Sequence, residues 1–564
     1  MFKWLPFDTS RIGSLERFGG LVVVAVLAVL SLVAAVLDGG WWWVPTLVLI
    51  ALTVMGIQDL IQTHHAILRN YPVLGHIRFF FEKIRPEIRQ YFIESDQDEE
   101  PFSREDRSIV YQRSKSEEAA RPFGTKKSVY EGGYAWMTHS IVPTHLSEQD
   151  FRVRIGGPDC AQPYDASLYN VSAMSFGSLS GAAIEAINKG AARGGFAQDT
   201  GEGGISKYHR NGGDLIWEIG SGYFGCRTDD GRFDPAKFKA QASDRQVKMI
   251  EIKLSQGAKP GHGGMLPAAK ITEEIAEARG VPMGKDCVSP AGHKEFSTPI
   301  ELCEFIAELR DLSGGKPVGF KLCIGHRREF MGIVKAMLET DIYPDFIVVD
   351  GTEGGTGAAP LEFANHVGMP LTEALTFVHN TLRGADIRDR IRIGASGKLI
   401  HAFDIARAFA LGADWCNSAR GFMFSVGCIQ AQACHTNHCP TGVTTQDPLR
   451  QRALVVPEKA ERVANFHRNT MKALKEMTEA AGLDDPRDFL PYHFMKREGD
   501  GSMVEASDVW SYLPLGFLIR DVGFDDDVFR RRWDRASADT FKPPEPGGRV
   551  QTKRDVDSPA QAAE

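Results

Sequence analysis

The 564-residue chain sets 65 Lys and Arg against 73 Asp and Glu, a formal charge of −8, with no sustained basic stripe; this balance excludes a nucleic-acid binder working by phosphate neutralisation. Hydrophobic and charged contents of 43% and 24% exclude a disordered chain and suit a folded protein with a large core. Nine scattered cysteines exclude a disulfide-stapled secreted scaffold and point to a reducing compartment.

In chain order, the first predicted elements are two apolar helices. Residues 18–37 (FGGLVVVAVLAVLSLVAAVL) carry no charge, and after Asp38 residues 39–58 (GGWWWVPTLVLIALTVMGIQ) again carry none. Each has the length of a bilayer-crossing helix, about 20 residues, and Trp41, Trp42 and Trp43 suit a membrane-surface aromatic belt. A cleaved signal peptide is a rival reading, but the first run is too long for its core and a second follows at once. A buried soluble hairpin is the other rival. Lys3, Arg11 and Arg17 precede the pair and Arg69, Arg78, Lys83, Arg85 and Arg89 follow it, whereas the connecting loop holds only Asp38. The positive-inside rule then makes residues 1–62 a membrane anchor with the rest of the chain on the cytoplasmic face. Residues 63–150 read as a polar, partly helical neck, with ESDQDEE (94–100) a solvated loop.

Short apolar runs then alternate with helical stretches. Strands are expected at YNVSAMS (169–175), FAQDTG (196–201), KMIEIKLSQG (248–257), more weakly at DCVSP (286–290), then at VGFKLCIG (318–325), DFIVVDG (345–351), IRIGASG (391–397) and DWCNSARG (414–421). Helices are expected near 179–194, 268–279 and 300–313. Eight such units predict a (β/α)8 barrel of TIM type over 151–445. A doubly wound open sheet is the competitor, and no G-x-G-x-x-G follows the first strand to support it. A helix near 457–481 opens a helical extension over 446–540, and 541–564 reads as a disordered polar tail.

Barrels place their active sites at the C-terminal strand ends and often bind phosphate after strands seven and eight. Here those exits are GASGK (394–398) and SARGF (418–422), with DGTEGGTGAAP (350–360) a third. Glycine lets backbone N–H groups converge on an anion, and Lys398 or Arg420 adds charge, so three such exits imply a phosphate-bearing cofactor. Glu202, in DTGEGG, and Lys253, Gln256 and Lys259, in IEIKLSQGAKPGHGG, stand at two further exits. Lys253 ends an apolar alternation, where an inward ammonium is partly desolvated. Glu202 and Lys253 read either as catalytic groups or as an ion pair tying two loops together.

GCIQAQACHTNHCPTG (427–442) spaces Cys428, Cys434 and Cys439 as C-x5-C-x4-C. The three are core residues, a zinc site completed by His435 or His438, or iron–sulfur ligands. Their density makes a core role poor, and structural zinc usually shows tighter C-x-x-C spacing. Soft thiolates suit zinc or iron–sulfur, and the spacing favours the latter. Three thiolates leave one corner of a four-iron cubane without a ligand, which favours a [3Fe–4S] cluster.

Five stretches, SAMSFGSLS (172–180), DTGEGG (199–204), IEIKLSQGAKPGHGG (250–264), DGTEGGTGAAP (350–360) and GCIQAQACHTNHCPTGV (427–443), together resemble the FMN-binding synthase domain of glutamate synthases over roughly 150–445. The resemblance implies FMN in the barrel mouth, its ring against Ala173, Met174 and Ser175 with Lys321 nearby. Its phosphate is expected near Gly394, Gly397, Arg420 and Gly421, with Asp350, Gly354 and Gly355 at the third exit completing the cofactor set. It implies a [3Fe–4S] cluster on Cys428, Cys434 and Cys439, and reductive amination of 2-oxoglutarate to L-glutamate through 2-iminoglutarate. Glu202 and Lys253 are then catalytic, and Gln256 and Lys259 hold substrate carboxylates. Met265 stands in the substrate loop where the family usually has glutamine, and SPAGHKEFS (289–297) replaces the usual SPPPHHDIYS. The family's glutaminase domain and C-terminal β-helix are missing, and no dinucleotide fold is present. Ammonia is therefore expected free or from a partner, and electrons from a separate donor, ferredoxin or a reductase. The alternatives are an FMN oxidoreductase for a different amino or keto acid, a membrane-docked electron-transfer subunit, or a degenerate barrel serving as scaffold. An acid and a cation over the flavin favour catalysis, since a pure carrier needs neither.

Overall fold

Valine, leucine and alanine without interruption build the first helix of this computed structural model, α1 (Thr9–Asp38), and Gly39 and Gly40 at φ +68° and +60° turn the chain into α2 (Trp43–Ile61). The structure describes residues 9–95, 100–117, 122–147, 151–524 and 526–543. They form two units, one up to residue 100 and one from residue 101. Lys3, most of the acidic loop (96–99) and the tail from 544 lie outside the described residues.

In the first unit α1 packs on α2, and the Thr46 hydroxyl donates to the Trp42 carbonyl at 2.7 Å and lies 3.1 Å from the Ser31 hydroxyl. Both helices are long and apolar enough to cross a membrane, and their outer faces are bare: Val36, Leu47 and Ile61 are exposed. A short helix, Ala66–Asn70, leads to α3 (Gly75–Ile88), which continues as a π-helical turn, Arg89–Ile93.

The second unit contains a closed parallel barrel. Its strands are β1 (Tyr169–Val171), β2 (Ala197–Asp199), β3 (Asp214–Ile219), β4 (Val247–Lys253), β5 (Val318–Leu322), β6 (Phe346–Asp350), β7 (Arg392–Ser396) and β8 (Trp415–Ser418), each paired with the next and β8 with β1. Almost every residue of β1, β2, β5 and β6 is buried, as expected of strands filled on one face and covered by helices on the other. The expected eight strands are therefore present, with one exchange. Cys287–Val288, inside the weak DCVSP strand, lies outside the barrel as half of an antiparallel ribbon with Met265–Leu266. Its place is taken by β3, whose Asp and Glu had masked its apolar alternation.

Before the barrel, α4 (Arg104–Lys115) begins with a reciprocal cap between Ser103 and Asp106. Outside the barrel, α5 (Gly181–Gly194) runs from a Ser180 cap to Gly195 at φ +66°. The helix expected near 457–481 is α7 (Val456–Ala481), reached after the short α6 (Arg420–Ser425); α7 packs on α5 and α4. At Gly190 the α5–α7 crossing is closest, since a Cβ there would lie 2.4 Å from Val463 Cγ1. The C-terminal extension is not all helical: Phe494–Arg497 pairs antiparallel with Met503–Glu505 and with Ala135–Met137 from before the barrel.

Candidate active site

Lys253 is the last residue of β4, and Glu202 lies in the loop after β2. The Lys253 ammonium donates to Glu202 Oε2 at 3.1 Å, with the two side chains 12% and 19% exposed. Burial pushes the Glu202 carboxyl up, but Lys253, Arg279 and Lys259 together hold it below the usual carboxylate range. Two glycines let the backbone close on this carboxylate: a Cβ on Gly264 would lie 2.4 Å from Glu202 Oε1, and one on Gly220 2.9 Å from its Cβ. Behind the pair, His293 Nε2 is 2.9 Å from the Lys253 carbonyl and Nδ1 is 3.0 Å from the Tyr223 hydroxyl. The carbonyl can only accept, so Nε2 carries the proton and Nδ1 accepts from Tyr223. Burial lowers the imidazole to about 4, consistent with this neutral form.

Of the expected substrate residues, Gln256 lines the cleft described below, and half-buried Lys259 faces Glu202, burial lowering its affinity for a proton. Their loop is tied down by the Gly257 N–H, which donates to Asp350 Oδ2 at 2.7 Å. Met265 is 62% exposed, on the ribbon at the lip.

Beside this pair a solvent-open cleft lies over the C-terminal ends of the strands. Ala173, Lys321, Asp350, Gly354, Gly355, Gly397 and Arg420 line it as expected, joined by Lys398, Ser396, Asn417 and Ser418. Met174, Ser175, Gly394 and Gly421 do not. Gly394 instead lies under the Trp415 indole, 2.5 Å from where its Cβ would be, and Ser175 turns toward Arg279 and the Glu202 loop. Gly397 at φ +152° and Lys398 at φ +51° shape the exit of β7, and Arg420 opens α6 with Nη2 on the Thr356 carbonyl at 3.1 Å. Two cations and a glycine exit at one end, with an ammonium on the floor, fit FMN, whose phosphate is dianionic and whose reduced ring is electron-rich.

Under the cleft lies a group the sequence reading missed. Asp199, Glu218, Glu251 and Lys321 come from β2, β3, β4 and β5 in turn, and each side chain is at most 4% exposed. Lys321 Nζ contacts Glu218 Oε2 and lies 2.9 Å from Glu251 Oε1 and 3.8 Å from Asp199 Oδ2. The Glu251 contact is an ion pair without hydrogen-bond alignment. The three carboxylates are close enough to share a metal ion, but the ammonium already stands among them. Burial raises the Asp199, Glu251 and Asp350 carboxyls, Asp199 well above its ordinary range. Burial opposes the charge on Lys321, yet Glu218, Glu251 and Asp199 hold its proton far more tightly than usual. One cation does not balance all these buried carboxylates, and the surplus negative charge favours their protonated forms. A usable signal existed: Glu251 stands between Ile250 and Ile252 in the buried middle of β4, where a carboxylate needs a partner.

After α6 the three cysteines line one small hollow. All are free thiols. Among the described residues no carboxylate or imidazole lines the hollow, and His435 and His438 are exposed, so the structure does not bring them in as zinc ligands. The Gln430 N–H donates to Cys428 Sγ at 3.5 Å, and Gln430, Gln432 and Asn437 adopt positive φ as the loop folds around the sulfurs. Burial raises the Cys439 thiol, but hydrogen bonds from Thr441 and Thr444 bring it down to about 7. Buried Lys270 donates to the Cys434 carbonyl at 2.7 Å. Three sulfurs with N–H and O–H donors and no competing oxygen anion suit an iron–sulfur cluster. Support also comes from the segment before the barrel: the Tyr111 hydroxyl donates to the Cys428 carbonyl at 2.7 Å, and Gln430 Nε2 donates to the Phe102 carbonyl at 3.1 Å.

A parallel barrel with a charged pair and a glycine-lined cleft at its C-terminal rim has the active-site placement of the barrel enzymes. Residues 163–484 match the conserved region of glutamate synthase, and the chain belongs to the glutamate synthase family, oxidoreductases acting on CH–NH2 donors. It is 40% identical over 496 residues to the glutamate synthase large subunit-like protein YerD of Bacillus subtilis (strain 168), covering 80% of this chain and 94% of that one. It is 36% identical over 317 residues to the archaeal-type glutamate synthase (NADPH) of Thermotoga sp. (strain RQ2), covering 56% of this chain and 59% of that one. Among solved structures, a lactate oxidase from Pediococcus acidilactici is 12% identical over 75% of this chain and 94% of that one, at a TM-score of 0.39, too slight a likeness to add to the barrel seen directly.

Proposed function

We propose that the chain performs the synthase half-reaction of its family: 2-oxoglutarate and ammonia, free or partner-delivered, condense to 2-iminoglutarate, which is reduced to L-glutamate. The observation that carries this reading is the 3.1 Å contact between Glu202 and Lys253 beside the cofactor cleft, because a pure electron carrier needs no acid–ammonium pair. When bound, FMN supplies hydride chemistry in the cleft and a [3Fe–4S] cluster on Cys428, Cys434 and Cys439 supplies electrons one at a time. Lys398 and Arg420 would hold the flavin phosphate and Lys321 its ring. Condensation expels water and reduction adds a proton at nitrogen, so the site has to move protons. The Lys253 ammonium is the donor to the imine nitrogen, and ionised Glu202 holds that ammonium in place and relays protons from the attacking ammonia to the carbonyl oxygen, which leaves as water. Lys259 and Gln256 bind the carboxylates, a cation and an amide donor being suited to anionic oxygens. In this reading α1 and α2 anchor the protein in the cytoplasmic membrane with the barrel in the cytoplasm, and a separate donor, ferredoxin or a reductase, feeds the cluster.

The test is anaerobic titration of the dithionite-reduced holoenzyme with 2-oxoglutarate and ammonium, following flavin absorbance and assaying glutamate. Reoxidation with stoichiometric glutamate is expected. A preparation that holds flavin and iron yet stays reduced refutes 2-oxoglutarate as acceptor. Met265, apolar and exposed at the lip, favours a second reading in that event, a 2-oxo acid with a bulkier apolar arm, tested by the same titration.

A further inference from the structure

The helix that follows the hairpin leaves an apolar stripe uncovered. Ile77, Phe80 and Phe81 on α3 are 52%, 57% and 55% exposed, and Tyr91, Phe92 and Ile93 in the π-helical turn are 57%, 84% and 70% exposed. With Ile84 and Ile88, the α3 residues stand at the i, i+3, i+4, i+7, i+11 spacing of a single helix face. Along the same stretch run Arg78, Lys83, Arg85 and Arg89 against Glu82 and Glu87, and Glu82 is engaged by Arg78 at 2.9 Å. A soluble helix turns such a stripe inward; here Ile77, Phe80 and Phe81 are exposed, Ile84 and Ile88 half-buried, and the stripe is edged by a cationic surplus.

The start of α3 is fixed to the end of α2. Asp59, two residues before α2 stops, accepts the Val73 N–H at 3.0 Å and lies 2.9 Å from His76 Nε2. The intervening turn wedges between the hairpin helices: a Cβ on Gly56 would lie 2.7 Å from Val73 Cγ2, and one on Gly20 2.6 Å from Leu74 Cγ. The first turn of α3 therefore lies at the level where the apolar run of α2 ends.

We propose that α3 and residues 89–93 form an interfacial element lying on the bilayer surface, its aromatic stripe at the acyl boundary and its cations on anionic phospholipid head groups. This rests on the membrane reading of α1 and α2. Charge complementarity and continuity with the hairpin end select a lipid surface over a protein partner. The test uses full-length holoenzyme in vesicles of phosphatidylcholine alone or mixed equally with phosphatidylglycerol, treated with trypsin, with the cut sites sequenced. Cleavage after Arg78, Lys83 and Arg89 is expected to be several-fold slower in the anionic vesicles, and Phe80→Asp with Phe81→Asp to restore it. Equal cleavage at both compositions, in protein that survives an alkaline carbonate wash, overturns the proposal and leaves the hairpin standing. Equal protection in detergent without phospholipid also overturns it, because protein then covers the stripe. Release by carbonate overturns the membrane reading beneath it.

Discussion

Replacing Lys253 with Met removes the cation from Glu202 while keeping the length of the side chain. The two groups touch at 3.1 Å and are 12% and 19% exposed, so the loss is that of a largely buried pair, for which removal of one partner costs about 3–5 kcal/mol. Arg279 and Lys259 still face the carboxylate, which sets the expectation near 3 kcal/mol at neutral pH and a fall in Tm on the order of 5 °C for a domain of this size. The sign with pH is specific. In the native protein the Glu202 carboxyl is held below its unfolded value, so its contribution is present above the ordinary carboxylate range, about 4.3, and fades as pH falls through the lowered value. In Lys253→Met the penalty belongs to the ionised carboxylate, so the Tm deficit is greatest at neutral pH and closes on acidification. Thermal melts of holoenzyme across that range, with Glu202→Gln/Lys253→Met alongside, read the effect. The double variant should recover most of the lost stability while glutamate formation stays down about 100-fold or more. A deficit independent of pH, or a double variant no more stable than the single, would refute the reasoning.

Glu251→Gln relieves the carboxylate excess around Lys321. Because burial raises the Glu251 carboxyl, its native contribution is present at low pH and lost as pH rises through the raised value; the variant should melt higher than wild type in alkaline buffer and gain little in mild acid. Gly257→Ala drives a methyl to 1.7 Å from the Gly351 carbonyl oxygen, so the loop must move; a loss of about 1–3 kcal/mol in chemical denaturation and a raised KM for the 2-oxo acid are expected. Tyr111→Phe removes the hydroxyl that donates to the Cys428 carbonyl, a hydrogen bond worth about 1 kcal/mol. Iron should then leave faster under a chelator while flavin content stays constant, both followed by absorbance and metal analysis.

The two membrane-length helices, the long α7 and most barrel strands were legible because each is written in consecutive residues: uncharged runs, helical periodicity, or a short apolar stretch ending in glycine. The strand count of eight was reached by two errors that cancelled. DLIWEI, which begins at Asp214 and carries Glu218, forms a barrel strand, whereas DCVSP contributes only two paired residues outside the barrel. Glu202 and Lys253 were readable as strand-exit residues, but their contact was not, since two loops meet only when the barrel closes. The Lys321 cluster was less legible still, each of its four members coming from a different strand. Nothing local in the sequence places Tyr111 against Cys428, 317 residues away.

That last separation bears on the order in which the protein can be finished. The α4 segment and the strand Ala135–Met137 emerge from the ribosome early, yet their partners, the cysteine loop, α7 and Phe494–Arg497, emerge near the end of synthesis. Contacts of such sequence separation form late. The apolar hairpin has therefore left the ribosome long before the cysteine loop has its full support. Completion of the cysteine loop is then a late event, and a chain truncated before residue 494 would carry all three cysteines yet lack the strand that closes the sheet with Ala135–Met137.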